Sequence, residues 1–294
     1  MEYQLIINPT AGKGRAAKLI TRLEGLLRQK GIKYALAVTK SAGHATELAA
    51  KAAGEGWPAI AVVGGDGTIN EVVNGIAGTA TSLAVIPAGT GNDLARSLHL
   101  PSTLDASVDL LRQPRQIEID LGVDQAGYFT CIDGIGFPAD VMFNVNLSKG
   151  VFSGAPAIVW GIFKTMKELK ETPVTLELDG TVVHKKVQGV FIMNTVYAGG
   201  GLKFSPGADY QDKKLDVLVM RDLSRPEVLA LLPQVYRGTH LSHPKVDFYR
   251  VSEVNLLCEK PVRKVLDGNV SETTQISAKI ARQPLSVLVA GPVN

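Results

Sequence analysis

Cysteine is nearly absent from this 294-residue chain. Its two cysteines, Cys131 and Cys258, stand in no CxxC or Cys/His spacing. That excludes a disulfide framework and a cysteine-based zinc site, and it suits a reducing compartment. Long hydrophobic runs are also missing. The longest uncharged stretch, GVFSGAPAIVWGIF (150–163), is interrupted by glycines and Pro156 and is too short to cross a bilayer. The opening MEYQLIINPT enters an apolar run without a basic start, so no signal peptide is expected. Neither sign of charge dominates: a net charge of +3 makes no case for nucleic acid, yet it does not oppose an anionic membrane surface or a phosphate ligand. The five histidines (His44, His99, His184, His240, His243) show no metal or triad spacing. The expectation is a soluble cytoplasmic protein that lies at most on the inner face of a membrane.

What is present is 45% hydrophobic and 20% charged, an ordinary globular composition, over a length that favours two domains. The first part alternates short apolar runs with helical patterns. YQLIIN, YALAVT, AIAVVG and LAVIPAG read as strands, and Ala16–Gln29, HATELAAKAAGEG, Asn70–Ile76 and DLARSLHL as helices. Repeated βα units imply a parallel, Rossmann-like sheet with helices on its faces. Beyond Pro114 strand-like segments dominate, including QIEIDLGV, YFTCIDGI, VQGVFIMNT and KLDVLVM. Turn signals at Asp179-Gly180 and Asp267-Gly268 separate several of them. Only Val159–Glu171 and Arg225–Tyr236 look helical there. The expected architecture is an α/β nucleotide-binding domain over 1–116 and a mainly antiparallel β-sandwich domain over 117–294. The last strand, about 284–291, is free to pack on either.

Three glycine clusters fall where parallel strands end: NPTAGKG (8–14), GGDGTIN (64–70) and PAGTGND (87–93). Ligands of open parallel sheets bind outside the carboxyl ends of the strands. A helix follows each cluster, and free amides with the helix dipole favour an anion, most naturally phosphate. One such cluster is only a turn; three on one sheet edge point to a polyphosphate site. Two familiar signatures do not apply. GKGRAA fits the loose dinucleotide fingerprint, but the second strand ends in AVTKS, with Lys40 where a ribose-binding carboxylate belongs. The GxxxxGK[ST] phosphate loop is absent.

Asp66 and Asp93 lie inside these clusters, and Asp120 ends a strand near the domain junction. Carboxylates beside phosphates call for a divalent cation between them, and magnesium takes carboxylate, water and phosphate oxygens. Each aspartate taken alone is equally an Asx-turn or a helix N-cap.

With GGDGTINEVVNG and IPAGTGNDLAR in view, the chain resembles the diacylglycerol kinase catalytic-domain family. It is most similar to the bacterial soluble lipid kinases, relatives of the sphingosine and ceramide kinases. The resemblance runs nearly the whole length and takes in NPTAGKG, IDLG, YAGGGLKFSPGADYQDKKLDV and VLDGN. NAD kinases share the GGDGT turn but are not associated with the later YAGGG segment. The resemblance implies a β-sandwich beside the nucleotide domain, with ATP and Mg2+ in the cleft between them. It implies that Asn8, Pro9, Thr10, Ala11, Gly12, Thr39, Gly64, Gly65, Asp66, Gly67, Thr68, Ile69, Asn70 and Thr90 bind ATP. Asn92, with Asp66, Asp93 and Asp120, would join the phosphates to catalytic Mg2+. Asp209, Asp212 and the Lys214 carbonyl correspond to a structural Mg2+ site, although Lys213 replaces the glycine usual after that aspartate. A solvated turn is the alternative for Asp209 and Asp212. The family commonly shows Asp-Gly-Glu at VLDGN and uses an acidic residue there as base. This chain has Asn269 at the glutamate position, so Asp267 is the expected base, against the alternative that Asp267-Gly268 is only a hairpin turn. Cys131 stands where relatives often carry asparagine.

Val151, Phe152, Pro156, Ile158, Val159, Trp160, Ile162 and Phe163 form an apolar cluster flanked by Lys149, Lys164, Lys167 and Lys170. It suits either acyl chains and an anionic interface or a helix packed on the sandwich. The expected activity is transfer of the ATP γ-phosphate to a lipid hydroxyl: diacylglycerol first, with phosphatidylglycerol or a sphingoid base behind it. The expected partners are a lipid substrate at a membrane surface and, in a homodimer, a second copy of the chain. The alternatives are an NAD-kinase-like enzyme with a soluble substrate, and a nucleotide-responsive lipid-binding protein that has lost catalysis. Asn269 and Lys213 are the features that keep the latter open.

Overall fold

The computed structural model describes residues 1–148 and 155–291. The chain divides into two units, Met1–Ile119 with Arg282–Asn294, and Asp120–Ala281.

The first unit is α/β. It runs β1 (Glu2–Ile7), α1 (Ala11–Gln29), β2 (Lys33–Val38), α2 (His44–Gly54), β3 (Ala59–Gly64), α3 (Asp66–Ile76), β4 (Ser82–Pro87), α4 (Asp93–Ser97), α5 (Leu104–Arg112) and β5 (Pro114–Ile119). Every residue of β3 is buried, as expected of a central parallel strand covered on both faces. β1 pairs in parallel with β2 on one side and β3 on the other, and β3 pairs in parallel with β4. The chain therefore leaves β1 toward one edge and returns on the opposite side. This reversal between β1 and β3 opens a crevice at their carboxyl ends. α5 was not anticipated from the sequence. Thr103 caps it by accepting from the Ala106 amide, and it buries Val108, Leu110 and Leu111.

The second unit is mainly antiparallel β. It contains β6 (Gly122–Asp124), β7 (Gly127–Phe129), β8 (Ile132–Gly136), α6 (Phe137–Leu147), α7 (Ala155–Met166), β9 (Thr172–Leu178), β10 (Thr181–Val187), β11 (Gly189–Met193) and the short β12 (Tyr197–Ala198) and β13 (Leu202–Lys203). There follow β14 (Leu215–Met220), α8 (Arg225–Arg237), β15 (Val246–Val251), β16 (Glu253–Leu266) and β17 (Asn269–Ile280). The main sheet runs β15-β14-β11-β8-β16-β17-β6-β7, with the β9–β10 hairpin attached through β16. Alternate residues of these strands meet in one core containing Phe129, Leu176, Ile192, Val217, Leu256 and Ile276. Both Asp-Gly turns close hairpins: Asp179 and Gly180 take φ +46° and +83°, Asp267 and Gly268 +43° and +90°. Positive φ at both central residues is the turn that matches the strand twist. α6 was likewise not anticipated; it is a helix because Gly136 turns the chain at φ +69° and proline follows in the first helical turn.

The closing strand, β18 (Leu285–Ala290), belongs to the first sheet, between β4 and β5. It is parallel to β4 and antiparallel to β5, and Ser286 Oγ lies 2.8 Å from Ser82 Oγ.

Candidate active site

In the first unit the three glycine clusters meet at the crevice. Beyond β1, the Asn8 amide donates to the Val63 carbonyl at 3.1 Å, and Asn8 Nδ2 donates to Thr68 Oγ1 at 2.9 Å. Gly12, Lys13 and Gly14 all adopt left-handed backbone (φ +60°, +60° and +79°), so the regular part of α1 begins only after them. A Cβ at Gly12 would lie 2.3 Å from the Ala88 carbonyl oxygen, and one at Gly89 would lie 2.4 Å from Gly65 Cα. Glycine is required where the turns touch backbone to backbone. The Ala88 and Gly89 amides donate to the Gly64 carbonyl at 2.8 and 3.1 Å. Arg15 ties the first turn to the third by donating to the Ala88 and Gly89 carbonyls. Sequence reasoning missed this arginine; its signal was a cation directly after a glycine cluster.

Asp66 holds the third turn. Its two oxygens accept the backbone amides of Asn92 and Asp93, at 2.7 and 2.6 Å. Asn92 sits at φ +52°, a conformation asparagine tolerates better than most side chains, and its Oδ1 accepts the Gly89 amide at 3.0 Å. Thr39 ends β2 beside β1, its amide donating to the Ile7 carbonyl at 2.9 Å. Thus Asn8–Gly12, Thr39, Gly64–Asn70, Thr90, Asn92 and Asp93 all lie along one edge of one sheet. Free amides, the amino end of α3 and a floor without side chains are what a polyphosphate needs.

Asp120, Asp209, Asp212, Lys214 and Asp267 belong to the second unit. Asp120 Oδ2 accepts the Lys213 amide at 2.6 Å; burial raises its pKa, and nearby Asp212 and Asp209 add to the rise. Asp209 and Asp212 accept the amides of Gln211 and Lys214, both as Asx-turns. Arg250 lies 3.8 Å from Asp212 and donates to Asp216 at 2.7 Å, so a guanidinium supplies positive charge to this acidic turn. Lys213 occupies φ +58°, a left-handed conformation that glycine adopts more readily. Among the described residues no group of three His, Cys, Asp or Glu side chains is placed to hold a metal ion.

Asp267, the expected base, is heavily hydrogen-bonded. Its Oδ2 accepts from the Thr130 amide and hydroxyl at 2.6 and 2.9 Å, and its Oδ1 from the Cys131 and Ile132 amides at 2.9 and 2.8 Å. It is 6% exposed. A carboxylate has about four acceptor positions, and four donors occupy them. Asp267 thus ties the chain entering β8 to the β16–β17 turn through four hydrogen bonds.

A second buried ionic group, also missed in the sequence, lies nearby. Lys264 on β16 hydrogen-bonds Asp124 and lies 3.5 Å from Asp133 on β8. All three side chains are buried. Burial pulls the Lys264 ammonium down to about 8, so it remains charged at neutral pH. Asp133 is pushed well above the ordinary carboxylate range by desolvation, with the charge of Asp267 adding to the rise and a backbone hydrogen bond from Gly134 opposing it. A carboxyl raised on folding contributes stability below its unfolded pKa, and that contribution is lost as pH rises through the folded value. Urea midpoints measured from pH 4 upward are therefore expected to fall for the wild type relative to Asp133→Asn. Parallel curves would refute the assignment.

The second unit also contains a narrow cavity of about 60 Å3 among β11, β14, α7 and α8. Phe191, Phe204, Leu218, Leu231 and Val235 are among its walls. On α7, Ile158 and Ile162 are buried, whereas Val159, Trp160 and Phe163 are exposed with Lys164 Nζ 5.0 Å from the Trp160 ring centre. The helix therefore packs through one face and presents another to solvent. Lys149, Val151 and Phe152 of the apolar cluster lie outside the described residues.

Residues 2–123 match the diacylglycerol kinase catalytic domain, and residues 134–289 the YegS C-terminal NAD kinase beta sandwich-like domain. The chain belongs to the diacylglycerol kinase family. By that membership it is a lipid kinase. A diacylglycerol kinase of Mycobacterium tuberculosis is 30% identical over 98% of this chain and 94% of its own length. One from Staphylococcus carnosus is 28% identical over 90% and 87%. The kinase also shares its fold with a crystal structure of a diacylglycerol kinase from Bacillus anthracis, at TM-score 0.75 and 20% identity, covering 99% of this chain and 97% of that one.

Proposed function

We propose that this lipid kinase transfers the γ-phosphoryl group of ATP to the free hydroxyl of diacylglycerol at a membrane surface. The observation that carries the reading is the meeting of three glycine-rich turns at the β1/β3 crevice, where Gly12, Gly65 and Gly89 leave room only for backbone. These turns fit a chain of phosphates lying against amides, and the exposed Lys13 adds a cation on the same turn. Asn8, Arg15 and Asp66 hold the turns at fixed spacing before any ligand arrives, which is the preorganisation that phosphoryl transfer needs.

The donor set fits Mg2+ only as a metal that arrives on the nucleotide, keeps most of its waters and takes one or two protein carboxylates. Asp66 and Asp93 are the carboxylates on that edge. When bound, Mg2+ would neutralise charge on the phosphate oxygens. Asp209, Asp212 and Lys214 carry a structural Mg2+ site less well, because Arg250 already faces the acidic turn. Phosphoryl transfer passes through a loose transition state that asks little of a base. Activity is thus compatible with Asn269 at the turn and with Asp267 committed to four donors. The exposed apolar face of α7 supports a substrate with hydrocarbon chains that is met at an anionic interface.

The test is transfer of γ-labelled phosphate from ATP with Mg2+ into dioleoylglycerol in mixed micelles. Phosphatidylglycerol, sphingosine and NAD are run as competing acceptors. Labelled phosphatidic acid is the expected product. Label in NAD alone would favour the soluble-substrate alternative, and nucleotide binding without label would favour the non-catalytic one.

A further inference from the structure

The loop between β13 and β14, residues 204–214, holds Asp120 at two points. The Asp120 amide donates to the Tyr210 carbonyl at 2.6 Å, and Asp120 Oδ2 accepts the Lys213 amide at 2.6 Å. Oδ1 takes no hydrogen bond among the described residues, so one oxygen is anchored and the other is available. The bonds inside the loop are short-range: Asp209 and Asp212 accept amides two residues further on. Lys213 itself stands at φ +58°, a conformation that L side chains avoid unless their surroundings impose it.

Arg250 imposes it from the sheet. It lies directly opposite Asp216 in the β14–β15 pair. Its Nε and Nη2 donate to the two Asp216 oxygens at 2.7 and 3.0 Å, and Nη2 also donates to the Gly207 carbonyl. Nη1 lies 3.8 Å from Asp212 Oδ2. Ser205, fully buried, donates to Oδ2 of Asp216, itself only 3% exposed. One planar guanidinium therefore reaches the loop near its start at Gly207 and near its end at Asp212, while a buried carboxylate fixes its orientation. A lysine ammonium has the charge but not the fork.

We propose that Arg250 is a positioning residue of the kinase: it holds the loop so that the Lys213 amide fixes Asp120 Oδ2 and leaves Oδ1 in a set place for the chemistry. The inference rests on the lipid-kinase reading, in which Asp120 joins the network around the Mg2+ carried by the nucleotide. Arg250 acts through Gly207, Asp212 and Asp216 and touches no reacting atom.

Arg250→Lys tests it, since it keeps a cation beside buried Asp216 and loses the fork. Residue-resolved amide exchange is read first, on the full chain without nucleotide. The Lys213 and Asp120 amides are expected to exchange about tenfold faster than in the wild type, the effect of one lost hydrogen bond to a charged group. Amides of β8 and β11 should keep their protection. In phosphate transfer to dioleoylglycerol, kcat is expected to fall about tenfold or more, with the ATP KM within about twofold, because misplaced groups slow the chemical step. A merely structural role would lower the unfolding midpoint and leave both readouts unchanged. Should Arg250→Lys fail to fold, Arg250→Leu with Asp216→Leu removes the buried pair together and is read on the same amides. Unchanged exchange at Lys213 and Asp120, or an unchanged kcat with both amides loosened, would overturn the proposal. A wild type that transfers no phosphate would overturn the kinase reading instead, and the exchange result would still decide whether Arg250 holds Asp120.

Discussion

Gly89→Ala is expected to lower ATP affinity about 100-fold while the chain stays folded. The added methyl would lie 2.4 Å from Gly65 Cα and 2.9 Å from Asn92 Oδ1, and the nearer atom is backbone that has no side chain to swing aside. The β3 and β4 turns must move apart by close to an ångström, and misplacement on that scale costs on the order of 100-fold. The Gly64 carbonyl, which the Ala88 and Gly89 amides share, and the bond from Gly89 to Asn92 would loosen together. Gly25→Ala provides the contrast. Gly25 lies within α1 with nothing within 4 Å of its added carbon, so the change should stabilise the helix by up to about 1 kcal/mol and leave ATP binding unchanged. Calorimetric titration of both variants checks the pair. Wild-type affinity in Gly89→Ala would mean that the phosphates lie elsewhere.

The largest loss of stability is expected from Asp267→Ala, about 3–5 kcal/mol in urea unfolding. The substitution strands three backbone amides and a hydroxyl in a buried site, at Thr130, Cys131 and Ile132. Each unsatisfied buried donor costs about 1–3 kcal/mol, with part recovered by local relaxation. Asp267 also sits at φ +43°, where alanine is less comfortable than aspartate. Asp267→Asn keeps an acceptor for one pair of donors and sets an NH2 group against the other, so a smaller loss is expected. If Asp267 were the base, the asparagine variant would lose activity by orders of magnitude at nearly full stability. If it is a clamp, activity and stability should fall together, and activity should return where temperature is lowered enough to restore the fold.

Much of the fold was readable from residues alone, for reasons that differ along the chain. The parallel sheet announced itself because β1, β3 and β4 are continuous apolar runs that lead into glycine-rich turns, the pattern of buried strands ending at a crevice. The Asp-Gly hairpins were legible because turn chemistry is local. α5 and α6 were hidden: the first is a short helix recognisable mainly by its Thr103 cap, the second carries Val and Phe at positions that suit a strand as well. The partners of Asp267 were hidden because a carboxylate in a turn looks the same whether it faces a substrate or three amides from residues 130–132, more than 130 positions away. The Lys264–Asp124–Asp133 group and the hold of Arg250 on its loop depend on burial and long-range packing, which single-sequence patterns do not encode.

The return of β18 to the first sheet sets a schedule for the newborn chain. β4 and β5 leave the ribosome long before the strand that fills the gap between them. That wait spans roughly 200 residues of synthesis, on the order of 10–40 s at ribosomal rates. Throughout it, β4 and β5 each present an unpaired edge that invites wrong partners. The second unit is complete at residue 281 and is free to fold meanwhile, so the part of the molecule begun first is the last to be finished.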